Sequence, residues 1–323
     1  MNDLPEVTVV IPTKDRWHVL SRAALRSVLS QEGVDLELVV VDDGSRDGTS
    51  ERLAALGDER VHVVRNEQPL GVAKARNAGI GVARGAWISF LDDDDLWSPR
   101  KLREQLDAAT AADALFVYAS GAAIDGAHRF LFNVAAPEPE TIAEQLLQWN
   151  VIWCGCSNVS ARADVVRRLG GFDEELFQLA DWDLWIRLAL SGRAAACRDV
   201  LVAYTIHQEN MLLTHAPDVF PELERLVAKH GAAATERGVE IDRARFARWV
   251  AGGHRRAGRR RQAVAAYLDS ARRQRDAGAA LRAVGTLFGE PALALARRAV
   301  RPDRRSSLPK LALPEPAWLG DYR

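Results

Sequence analysis

The chain has 323 residues, 48% hydrophobic and 27% charged, the balance of an ordinary globular protein with ample sequence for a buried core. No apolar run approaches the ~20 residues of a membrane span. The start, Met1-Asn2-Asp3-Leu4-Pro5, lacks the basic and apolar regions of a signal peptide, so a cytoplasmic protein is expected. Three cysteines (Cys154, Cys156, Cys197) are too few for a disulfide framework, and Cys-x-Cys without a second pair or nearby histidines is a weak zinc signal; buried thiols are expected. The net charge of −1 conceals an asymmetry. Residues 216–323 carry 22 Lys+Arg against 12 Asp+Glu, leaving 21 against 32 in residues 1–215.

In chain order, Val7-Thr8-Val9-Val10-Ile11 is a continuous β-branched run, the pattern of a strand buried on both faces of a parallel sheet, and Pro12-Thr13 ends it. A helical pattern through Leu25, Val28 and Leu29 leads to a second apolar strand, Leu36 to Val41. Strand, helix, strand predicts a right-handed parallel crossover. Asp42-Asp43-Gly44-Ser45 follows at that strand's carboxyl end, where open α/β sheets bind ligands. Val61–Val64 and Trp87–Leu91 read as the third and fourth strands, with a helix between them opened by Gly71-Val72-Ala73-Lys74-Ala75-Arg76-Asn77. Gly79-Ile80-Gly81 is no dinucleotide fingerprint, because it falls late in a helix rather than opening one; no P-loop pattern occurs either.

The fourth strand breaks off into Asp92-Asp93-Asp94-Asp95 before Leu96-Trp97. Ser98 then reads as an N-cap and Pro99 as the first turn of a helix through Lys101, Leu102 and Leu106. Adjacent carboxylates repel one another unless water solvates them or a cation neutralises them, and a hard divalent ion with oxygen ligands suits the second case. An acidic surface turn is the plainer alternative. Leu115–Tyr118 reads as a strand, Val151–Ser160 as a strand lining a pocket, and Ala163–Leu169 as a short helix stopped by Gly170-Gly171. Ala180–Leu190 reads as a helix with Asp181 and Asp183 in its first turn, where the macrodipole alone would favour them. Leu201–Ile206 is a last strand, leading into His207. From Pro217 on the pattern is helical and rich in Ala and Arg, with segments at Phe220–Lys229, Asp242–Ala257, Arg260–Asp276 and Gly278–Ala299 expected to pack antiparallel. Three parts are thus predicted: residues 1–215, a basic helical extension at 216–305 and a Pro-rich flexible tail at 306–323.

Five motifs in this order, Val9-Val10-Ile11-Pro12-Thr13, Val41-Asp42-Asp43-Gly44-Ser45, Gly71 to Asn77, Phe90 to Trp97 and Asp181-Trp182-Asp183-Leu184-Trp185, resemble the family 2 glycosyltransferases of the GT-A fold over about residues 5–210. The resemblance implies an α/β fold with a mostly parallel central sheet, followed here by a C-terminal α-helical extension. It implies a nucleotide-diphosphate sugar donor (UDP- or dTDP-sugars favoured), a divalent Mn²⁺ or Mg²⁺, and hexosyl transfer with inversion. On the same ground Asp43 receives the base's imide, Pro12, Thr13 and Asp15 line the nucleoside pocket, Arg76 and Asn77 lie at the donor, and Asp92 is the first acid of the D-x-D. Asp93 would touch the ribose, Asp94 and His207 the metal, and Asp181 would be the catalytic base. Ala180 departs from the many relatives with Glu before that Asp. Trp153, Trp182 and Asp183 are candidates for acceptor contact, with packing as the alternative for Trp182. Asp183 is also a rival base, though two residues along a helix place it on a different side.

These parts suit a displacement in which a metal stabilises the departing diphosphate and one base deprotonates the acceptor hydroxyl, with no enzyme nucleophile. The acceptor is a polysaccharide, glycoconjugate or smaller hydroxyl compound; no nucleic acid partner is expected. The basic helices could touch the anionic inner face of a membrane. Two other classes remain. One is a nucleotidyltransferase, disfavoured by the lack of a glycine-rich basic loop after the first strand. The other is a nucleotide-sugar-binding relative without turnover, which Ala180 favours and the retained acids oppose.

Overall fold

A computed structural model describes residues 4–207, 219–274, 277–288 and 310–323. The chain divides into two compact units, the first made of residues 1–146, 150–206 and 310–323 and the second of residues 147–149 and 207–309.

The first unit is built on a sheet of β1 (Val7–Thr13), β2 (Leu36–Asp42), β3 (Val61–Arg65), β4 (Trp87–Phe90), β5 (Leu96–Trp97), β6 (Phe116–Asp125), β7 (Phe130–Val134), β8 (Ser160–Arg162), β9 (Ala194–Ile206) and β10 (Lys310–Leu311). Its helices are α1 (Trp17–Leu20), α2 (Ala24–Leu29), α3 (Thr49–Ala54), α4 (Val72–Val82), α5 (Lys101–Ala112), α6 (Ile142–Gln148, whose last two residues belong to the second unit), α7 (Ala163–Arg168) and α8 (Ala180–Ser191). Along the sheet the strands run β10-β7-β6-β8-β4-β1-β2-β3, with β9 beside β6 and β5 beside β9. The β3-β2-β1-β4 half is parallel. There β1 and β2 are buried at every position, as an unbroken β-branched run requires when helices cover both faces, while edge strand β3 is half exposed. Beyond β4 the pairings turn antiparallel through β8 to β6, and β6 pairs in parallel with β9.

Helix α4 lies unusually close to this sheet. A Cβ built on Gly79 would stand 2.4 Å from Val10 Cγ1, so Gly79 serves helix-to-sheet packing. All parallel strands end on the rim that carries Thr13, Asp42-Asp43 and Asp92 to Asp95, so the topology itself gathers the polar loops.

Several expectations change. Val151–Ser160 forms no strand: Cys154 and Gly155 take left-handed backbone (φ +67° and +48°), and a 3₁₀ turn occupies Gly155–Asn158 before the short β8. Ser98 does not cap a helix. α5 begins at Lys101, and the Ser98 carbonyl accepts from Lys101 N and Gln31 Nε2. β9 begins at Ala194 rather than Leu201 because pairing with β6 recruits Ala-rich sequence of low intrinsic strand preference. Residues 310–323, expected to be flexible, pack on the first unit. β10 adds to β7, Leu319 is fully buried with Leu96, Ile124 and Ala203, Trp318 Nε1 donates to the Val200 carbonyl at 2.8 Å, and the Tyr322 hydroxyl donates to the Trp97 carbonyl at 3.3 Å. Prolines keep this stretch from being helical, but its aromatic and apolar side chains fill a satellite core.

The second unit contains α9 (Phe220–Glu236), α10 (Arg243–Arg256), α11 (Arg260–Gln274) and α12 (Ala277–Phe288). Asp242 caps α10 by accepting from Arg245 N at 2.8 Å, and Gly258, at φ +73°, turns the chain into α11. Trp149, Phe246 and Trp249 make a mutual aromatic cluster with ring centroids 5.5–6.4 Å apart. The expected boundary at 215/216 and the helical pattern beyond Phe288 lie outside the described residues.

Candidate active site

Four carboxylates in a row fold without mutual disruption because each has a defined partner. The Arg16 guanidinium spans two of them, with Nη1 2.8 Å from Asp93 Oδ1 and Nη2 2.9 Å from Asp94 Oδ2. Arg76, buried on α4, donates to Asp92 at 2.5 Å and lies 5.3 Å from the Phe172 ring centroid. Asp95 is fully buried and accepts from Ser157 Oγ at 2.5 Å and Thr205 N at 2.9 Å. Ser157 Oγ in turn accepts from Asp92 N, so one serine from the 3₁₀ turn bridges both ends of the acid loop. Thr13 Oγ1, at the end of β1, donates to Asp93 Oδ2 at 2.7 Å. Burial first and the neighbouring Asp94 second push Asp93 up to about 7, and the same two causes raise Asp95.

Asp181 opens α8 on the other side of the site. Its Oδ1 accepts from Trp182 N at 2.6 Å, and a Cβ on Gly155 would come within 3.0 Å of its Oδ2. Gly155 is therefore required twice, by its left-handed φ and by its closeness to the carboxylate. Burial raises Asp181 to about 6, against the lowering pull of Arg76, the Trp182 amide and the Asn150 side chain, with Asp92 adding repulsion. Arg76, itself raised by Cys156, Asp92 and Asp181 against the opposite effect of burial, thus stands electrostatically between Asp92 and Asp181. Its Nε is buried with no hydrogen-bond partner among the described residues, which leaves a donor for an anionic ligand.

The other expected residues divide. Asp43, buried at the end of β2, accepts from Asn66 Nδ2 and Leu70 N on Oδ1 and from Gly71 N on Oδ2, so its carboxylate organises the 66–71 turn. Exposed Asp15, at φ +54°, receives Arg46 N and donates its own N–H to Ser45 Oγ, joining the first two rim loops. Pro12 is buried within β1, opposite Val41. The Asn77 amide is taken up by the Phe172 backbone and Glu174, which makes it a brace for the 172–174 loop. Trp182 is buried with Nε1 on the Leu146 carbonyl, and Asp183 is fully buried in an ion pair with Arg187 at 2.6 Å; both lack an open face for an acceptor. Trp153 is only partly buried, beside Phe132 and Tyr204. His207 follows the last residue of β9 and begins the second unit's stretch, and residues 208–218 after it lie outside the described residues. Arg16, Ser157, Gly155 and Asn150 were not marked by the sequence. The available signals were a basic residue beside Asp15 in a rim loop and a glycine between two cysteines.

A divalent cation fits the acid loop in one form. Among the described residues no three His, Cys, Asp or Glu side chains converge as an all-protein cage. Asp94, close enough to Asp93 to raise it, suits an ion bound through one carboxylate and otherwise through substrate phosphates.

Residues 8–170 match the family model described as Glycosyl transferase family 2. The chain is 44% identical over 114 residues to the succinoglycan biosynthesis protein ExoO of Rhizobium meliloti (strain 1021), covering 35% of this chain and 32% of that protein, so it spans about a third of that relative's length. It is 28% identical over 221 residues to the UDP-Glc:alpha-D-GlcNAc-diphosphoundecaprenol beta-1,3-glucosyltransferase WfgD of Escherichia coli, covering 68% of this chain and 83% of that one. The fold is similar to that of S. aureus TarS residues 1–349, solved in complex with UDP-GlcNAc, with a TM-score of 0.60, 19% identity and coverage of 91% of this chain and 87% of that one. The matched stretch runs from β1 through α7 and takes in half of the chain, with the parallel-to-antiparallel GT-A sheet at its centre; the protein belongs to glycosyl transferase family 2.

Proposed function

We propose that the chain transfers a sugar from a UDP-sugar to an acceptor hydroxyl with inversion at the anomeric carbon, in the assembly of a polysaccharide or glycoconjugate. The observation that supports this most is the meeting of Asp181 and Asp92 at Arg76, from elements 89 residues apart in sequence. A carboxylate raised to about 6 is ionised at neutral pH yet basic enough to accept a proton, the requirement for a general base. Asp181 lies beyond the stretch matched by the family model, so this assignment rests on its surroundings. Asp94 would hold the divalent ion, and that ion, when bound, supplies Lewis-acid stabilisation of the leaving diphosphate. Arg76 would carry the neighbouring phosphate charge through its orphaned Nε, and Asp92 and Asp93 would orient the sugar and ribose. Asp43, Thr13 and Asp15 form the nucleoside end. Attack from the face of Asp181 needs no covalent sugar intermediate. The choice of uridine draws on the UDP-containing names of the relative and the fold neighbour.

The test is a panel of UDP-, dTDP- and GDP-sugars with Mn²⁺ or Mg²⁺ and membrane or oligosaccharide extracts as acceptor, followed by nucleoside diphosphate release. Acceptor-dependent release of UDP, abolished in Asp181→Asn, supports the reading. Pyrophosphate release would replace it by nucleotidyl transfer, and donor binding without release would replace it by a binding protein.

A further inference from the structure

Helix α12 is packed the wrong way round for a water-facing surface. It buries Gly278, Ala279, Ala283, Gly285 and Thr286, whereas its large apolar side chains are outside: Leu281 is 44% exposed, Val284 50%, Leu287 59% and Phe288 76%. At about 100° per residue these four fall within roughly one third of the circumference, a continuous stripe on one face. Single exposed apolar residues are common, but a stripe of four on one helix marks an interaction surface. Small residues inside let α12 lie close to α11, and large residues outside serve something beyond this unit.

The charge of the helices that carry the stripe identifies that partner. The stretch 243–288, within which α10 to α12 lie, holds 12 Lys+Arg against two Asp+Glu in sequence, and Arg260, Arg261 and Arg272 are exposed. An apolar stripe on a strongly cationic unit complements one surface in both respects, an anionic lipid bilayer, where apolar side chains enter the acyl boundary and guanidinium groups meet headgroup phosphates. A second copy of the chain would bring like charges together, which opposes self-association through this face. No helix among the described residues is long and apolar enough to cross a membrane, and an apolar stripe on one face of α12 is the pattern of a helix lying in the plane of the interface. We propose that the outer face of α12, through Leu281, Val284, Leu287 and Phe288, is a membrane-docking surface selective for anionic lipid. This does not rest on the transferase reading, since docking needs no donor or acceptor.

The test is flotation of the full chain with vesicles of phosphatidylcholine alone or with 30% phosphatidylglycerol, at low and high salt. The expected result is flotation with the anionic vesicles only, weakened by salt, and at least tenfold weaker in Leu287→Glu/Phe288→Glu. That variant should keep the circular dichroism and UDP affinity of the parent. Should it misfold, Leu287→Ser/Phe288→Ser serves in its place. Three results would overturn the proposal: no flotation of the parent, equal flotation of the variant, or a dimer in solution that the variant dissolves, which would make a second copy the occupant.

Discussion

The acid loop and helix α12 solve opposite problems. In the first unit, groups that favour water are drawn inside: Asp93, Asp94 and Asp95 are buried, and the fold supplies Arg16, Thr13, Ser157 and Thr205 to meet them. In α12, groups that avoid water are turned outward while small residues take the interior. Each arrangement costs stability unless something binds, since buried carboxylates and exposed apolar side chains are both unfavourable in the isolated chain. The two regions most out of keeping with burial rules are thus the ones where ligands are expected, a metal-bound nucleoside diphosphate in one and a lipid surface in the other.

The largest effect expected is on chemistry. Asp181→Asn should lower kcat by about 10²–10⁴-fold, the usual contribution of a positioned base, and leave UDP affinity unchanged, as read by steady-state kinetics with calorimetry. Asp183→Asn should instead act through folding, because it breaks a buried pair with Arg187; an unfolding free energy lowered by on the order of 3 kcal/mol, with UDP affinity retained in the folded fraction, is expected from urea denaturation. Equal loss of turnover in well-folded forms of both would erase the distinction between base and brace.

Acidity sharpens the same contrast. With Asp181 at about 6, kcat should fall as pH drops through that value, and the limb should be absent from any residual activity of the Asn variant. The stability sign is opposite. A carboxylate whose folded value is raised from about 3.9 favours folding below pH ~4, and this contribution disappears as pH rises through about 6. Asp181→Asn should therefore be more stable to unfolding than the parent at pH 7.5, by at most about 3 kcal/mol, and match the parent at pH 4. Smallest of all, Leu287→Gln on α12 should leave the unfolding free energy within about 0.5 kcal/mol of the parent, since an exposed side chain has little to lose.

What the sequence disclosed follows from how local each signal is. The β-branched runs of β1 and β2 and the acids after β4 are adjacent residues, and their pattern alone places them at a sheet's carboxyl rim. Asp181 could be assigned to the first turn of a helix for the same reason. The pairing of Arg16 with Asp93 and Asp94 could not be read, because it joins residues about 80 apart that only the β1–β4 register brings together. The left-handed turn at Cys154-Gly155 was hidden by apolar and polar alternation that imitates a strand, and the docking of residues 310–323 by prolines that signal a linker. Trp182 and Asp183 looked like acceptor groups by their nearness to Asp181. On a helix, adjacent positions face different ways, and here both face inward.

The measurement that bears most directly on the site is calorimetric titration of UDP into the protein with and without Mn²⁺, repeated on Asp94→Ala. The expected result is Mn²⁺-dependent UDP binding in the parent and at least tenfold weaker binding in the variant, with the melting temperature retained. UDP binding indifferent to Mn²⁺ and to Asp94, or no UDP binding at all, would contradict it and return the four acids to a purely structural loop.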